Sequence, residues 1–137
     1  MSNSWVFDRQ TTIYSRIKAI GTSKLKKKYP DINFTQDGRV VTSPKFPNVY
    51  IKFLQPMESG KDLEGNGINA VNLTVEIDVT VTQSMGMQVC NEVSWIIVDI
   101  LKEMCFDAQM PYFDATSTET YRTIARYSRV IGYNDVL

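Results

Sequence analysis

The stretch VNLTVEIDVTVTQ, residues 71–83, alternates without a fault. Val71, Leu73, Val75, Ile77, Val79 and Val81 take one parity; Asn72, Thr74, Glu76, Asp78, Thr80 and Thr82 take the other. Successive side chains of a strand point to opposite faces, so this pattern predicts a long, half-buried β-strand. Its apolar face belongs to a core. Its polar face, with Thr side chains and two carboxylates, is left for water or a neighbour.

The rest of the chain must cover that apolar face. Ile13, Ile17 and Ile20, widened by Tyr14 and Leu25, predict a helix over 8–28. Asp8 suits its N-cap or first turn, and Gly21 is a point where it could bend or split. Lys24, Lys26, Lys27 and Lys28 suit the negative end of the helix dipole, and Pro30 ends the helix. A second apolar stripe, Val89, Val93, Ile96, Ile97, Ile100, Leu101 and Met104, predicts a helix over 85–106, with Ser84 as its cap.

Short strands are expected at 32–34 and 49–54, and a second long strand at about 120–131, with Arg122 and Arg126 on one parity and Arg129 on the other. Pro44 and Pro47 argue against a central strand over 36–48. Residues 55–70, with Gly60, Gly65 and Gly67, read as a long loop of the kind that contacts partners. Residues 107–118, with Pro111, read as an irregular connection. The expected fold is a single α+β domain over 1–137: a mostly antiparallel twisted sheet with two helices packed on one face.

The chemistry is sparse. The 137 residues hold no histidine, so the commonest general base and metal ligand is missing. No nucleophile elbow, P-loop or dinucleotide fingerprint is present. Cys90 and Cys105 are expected on one helix, roughly 22 Å apart, beyond disulfide reach. They are read as reduced thiols, with no metal site and no cofactor. The N-terminus has no basic flank followed by an apolar stretch, so it is not read as a secretory signal. No apolar run is long enough to span a bilayer.

The charges balance overall but not locally. Residues 1–60 carry ten Lys/Arg and four Asp/Glu; residues 61–137 carry five and eleven. Such a chain can steer association with copies of itself. The best enzyme-like set is Asp62 and Glu64 in the loop with Glu76 and Asp78 on the strand. An i, i+2 carboxylate pair can hold Mg²⁺ for phosphodiester cleavage, but no lysine follows on this strand to stabilise charge. The lysine run at 24–28 has no aromatic interleaving for base stacking.

The stretches IYSRIK (13–18), LKKKYPDINFTQ (25–36), SPKFPNVYI (43–51), DLEGNGINAVNLTVEIDV (62–79) and YRTIARYSRVIG (121–132) together resemble the tail terminator, or tail-completion, proteins of long-tailed bacteriophages. These include minor structural proteins of phages of Gram-positive bacteria. The resemblance implies a virion protein that is not an enzyme. Its copies close into a ring, a hexamer, that caps the tail tube and stops its polymerisation. The partners it implies are the chain itself, the tail tube protein and the head–tail connector, with no membrane and with DNA only passing through the ring. Within that frame the face bearing Glu76 and Asp78 is expected to meet another subunit or line the ring, with Arg122, Arg126 and Arg129 as candidate partners, across subunits or within one sheet. Glu58, Lys61, Asp62 and Glu64 are expected on a loop that touches tail or neck. Two alternatives stand beside it: a neck stopper or adaptor, and a small metal-dependent nuclease using Asp62, Glu64, Glu76 and Asp78.

Overall fold

The computed structural model describes residues 3–36, 45–61, 67–114, 116 and 119–137. Its elements are α1 (Trp5–Leu25), β1 (Asn33–Thr35), β2 (Asn48–Phe53), β3 (Met57–Lys61), β4 (Ile68–Thr82), α2 (Met87–Glu103), β5 (Asp107–Asp114) and β6 (Thr120–Gly132). The strands form one sheet in the order β1-β2-β4-β6-β5, with β3 also paired to β4. Among the described residues only β1 and β2 run parallel; the other pairings are antiparallel. The fold is therefore α+β, as the periodicities predict.

β4 organises the sheet. Val71, Leu73, Val75, Ile77, Val79 and Val81 are all buried, in the parity expected for a core face. β2 covers residues 75–80 of β4 and β3 covers residues 68–72. The two behave as one long strand broken at 54–56, where the Leu54 amide still donates to the Thr74 carbonyl at 2.9 Å.

Both helices add their buried stripes to this core. α1 contributes Trp5, Ile13, Ile17, Gly21 and Leu25. Gly21 does not split the helix, which runs unbroken through it. It makes room: a Cβ there would lie 2.5 Å from Cζ of Phe34, whose ring is buried against the helix. α2 contributes Cys90, Val93, Ser94, Ile97, Val98, Ile100 and Leu101. Ser94 Oγ and Thr123 Oγ1, 3.0 Å apart, tie it to β6. The helices are linked to each other where Lys28 Nζ donates to Glu92 Oε2 at 2.7 Å and Tyr29 Oη donates to the same oxygen at 3.1 Å. The hydrogen bond from Lys28 holds the Glu92 carboxyl below its ordinary range.

Several local expectations are corrected. Residues 55–70 are not one loop, because β3 pairs with the start of β4; residues 62–66 lie outside the described residues. Residues 107–114 form an edge strand, and Pro111 falls where its register with β6 shifts between Met110 and Phe113, a place where proline is tolerated. The N-cap positions are Ser4 and Gly86, neither with a side-chain cap; Asp8 lies in the first turn and Ser84 precedes α2. Cys105 lies beyond the helix, at φ 64°. There the Phe106 amide donates to the Leu101 carbonyl and the Cys105 amide to that of Lys102, both at 3.0 Å. This is a Schellman ending with cysteine in the left-handed position that glycine usually holds.

Candidate functional site

The polar parity of β4 makes one face of the sheet, continued by its neighbours. The register sets Lys52, Glu76 and Arg126 in one row across β2, β4 and β6, and Tyr50, Asp78 and Ile124 in the next. A third row holds Asn48, Thr80 and Arg122. Opposite charges therefore sit side by side inside one chain. Arg126 Nε donates to Glu76 Oε1 at 3.1 Å. Arg122 Nη2 donates diagonally to Asp78 Oδ2.

The two members of each pair differ in exposure. The side chains of Asp78 and Glu76 are only 9% and 14% exposed, whereas those of Arg122 and Arg126 are 43% and 49% exposed. The guanidinium groups thus lie over submerged carboxylates, and Lys52 is exposed beside them. A partner approaching this face meets cations first. Within the single chain Glu76 and Asp78 are already paired with arginines, because adjacent strands of one sheet bring these groups together. Asp78 Oδ1 is buried and has no hydrogen-bond partner among the described residues.

Arg129 is not part of this face. It stands opposite Leu73, on the core parity, and its Nη1 donates to the Met104 carbonyl at 2.9 Å. A cation there binds the unsatisfied carbonyl end of α2, which is a structural task. Glu58 is exposed on β3 and Lys61 ends that strand. Asp62 and Glu64 lie outside the described residues. The i, i+2 carboxylates that a metal-dependent nuclease would use are each bound by an arginine. Among the described residues no group of three or more His, Cys, Asp or Glu side chains could hold a metal ion.

A cleft lies apart from this sheet face. Trp5, Asp8, Arg9, Thr12 and Arg16 of α1 line this cleft, closed on its other side by residues 133–137. The spacing of Arg9, Thr12 and Arg16 at i, i+3 and i+7 on one helical face was the readable signal. The tail that forms the second wall has no periodic pattern to announce where it packs. A comparison with models of known families finds no match, and a comparison with curated proteins finds none.

Proposed function

We propose that this chain is a structural subunit of a bacteriophage tail, similar to tail terminators, whose copies close into a ring, a hexamer, at the end of the tail tube. The observation that carries the reading is the sheet face bearing Lys52, Glu76, Asp78, Arg122 and Arg126. No helix is needed to bury it, since the core lies on the other side. Its acids are already neutralised within the chain, so the subunit can fold alone and still offer a broad polar surface to a neighbour. The element order of helix, strands, long strand, helix, strand supports the same reading, because the resemblance spans that order. A head-to-tail contact between such surfaces closes into a ring when the rotation permits.

The partners in this reading are other copies of the chain, the tail tube protein and the head–tail connector, and the role is assembly rather than catalysis. Electron microscopy of the purified protein, with light scattering for mass, tests it. Rings with a central hole are expected. A protein that stays monomeric across the micromolar to millimolar range, or that cleaves DNA with Mg²⁺ and loses cleavage in Glu76→Ala, overturns the proposal.

A further inference from the structure

The cleft beside α1 has a volume of about 530 Å³, within the range of small-ligand sites. Two guanidinium groups line it. Arg9 Nη2 donates to the Tyr133 carbonyl at 3.2 Å, while its Nε is buried without an acceptor. The Arg16 side chain has neither a hydrogen bond nor an ion pair among the described residues. A buried charged donor left without an acceptor is costly, and an oxyanion entering the cleft would supply one. The planar fork of arginine matches a carboxylate or phosphate, two-pronged against two-pronged.

The other lining groups narrow the choice. Asp8 and Asp135 line the same cleft, so a dianion entering between the arginines also meets two carboxylates. Asp135 is held in place, with its Oδ2 accepting the Gly132 amide at 2.7 Å. A singly charged carboxylate gains the guanidinium contacts at lower repulsive cost than phosphate. The remaining lining is mixed, with Thr12 and Asn134 beside the apolar surfaces of Trp5, Tyr133, Val136 and Leu137. Tyr133 packs edge-on against Trp5, with ring centroids 5.8 Å apart, and Val136 is 86% exposed. We infer that this cleft binds a carboxylate carried on an organic body, with Arg9 and Arg16 holding the oxygens and Tyr133 and Val136 covering the carbon skeleton. The site is separate from the sheet face, so its success or failure is independent of ring formation.

Trp5 lines the cleft and Trp95 lies on α2, so a Trp95→Phe protein makes tryptophan fluorescence a reporter of the site. The full chain in this background is titrated at constant ionic strength with acetate, with a blocked peptide carrying one glutamate, and with inorganic phosphate. A saturable response to carboxylates, stronger than to phosphate, is expected. Arg16→Gln should weaken it about tenfold, as expected for loss of a charge-assisted contact, without altering the fold, since the Arg16 side chain has no bond to lose. Tighter binding of the peptide than of acetate identifies a polypeptide as the source of the carboxylate; equal binding identifies a small acid. No saturable response to either carboxylate, phosphate binding as tight as carboxylate, or a response unchanged in Arg16→Gln overturns the inference.

Discussion

Arg126 Nε and Glu76 Oε1 lie 3.1 Å apart, directly opposite one another on β6 and β4 of a single sheet. Cross-strand pairs of this kind stabilise the sheet that holds them. Each carboxylate of this face is paired within the fold, and the more exposed groups left on it are cations.

That placement predicts a coupling within the monomer. Arg126→Glu sets like charges opposite each other and should lower stability by about 0.5–1 kcal/mol. Glu76→Arg in the same chain restores an opposite pair and should recover most of the loss. Urea unfolding of both single variants and the double variant measures the coupling. Additive effects would mean that the pair contributes nothing in solution.

Gly21→Ala should destabilise the protein by about 1–3 kcal/mol, the usual scale for overpacking, even though alanine favours helices. The added Cβ would fall 2.5 Å from the buried Phe34 ring. Combining it with Phe34→Leu should reduce the loss. Thermal unfolding of the three variants checks this, and a stabilised Gly21→Ala protein would show that β1 yields freely.

Cys105→Gly should stabilise the chain by about 1 kcal/mol. The residue sits at φ 64°, where a Cβ is strained and glycine is not. Its thiol is exposed, so little packing is lost. The shift in urea midpoint at unchanged slope reads this out directly.

The two thiols should also differ in reactivity. Burial pushes the Cys90 thiol up to about 11 from an ordinary 9.0, with the Asp114 carboxylate adding to the shift. The folded chain therefore keeps a proton that the unfolded chain releases above pH 9. The contribution of Cys90 to stability is complete below that value and declines as pH rises from 9 towards 11. At pH 8, a thiol reagent should modify Cys105 quickly and Cys90 only after unfolding, as followed by mass spectrometry with and without urea. Equal labelling rates in native protein would contradict the burial of Cys90.

Much of this fold was readable along the chain. The alternation at 71–82 determined which face of β4 is buried, because strand geometry sends alternate side chains to opposite sides whatever the surroundings. The stripes of α1 and α2 were readable for the same local reason. β3 and β5 were not: one is polar and glycine-bearing, the other contains proline, and both became strands because long partners offered them ladder bonds. Tertiary structure alone also decided what the charged residues do. Glu76 and Arg126 are 50 residues apart, Met104 and Arg129 are 25, and Arg9 and Tyr133 are 124. Periodicity within a segment fixes a side chain's face. Only the register between distant segments fixes its partner, which is why the polar face was visible in the sequence while its internal neutralisation, the capping role of Arg129 and the arginine cleft were not.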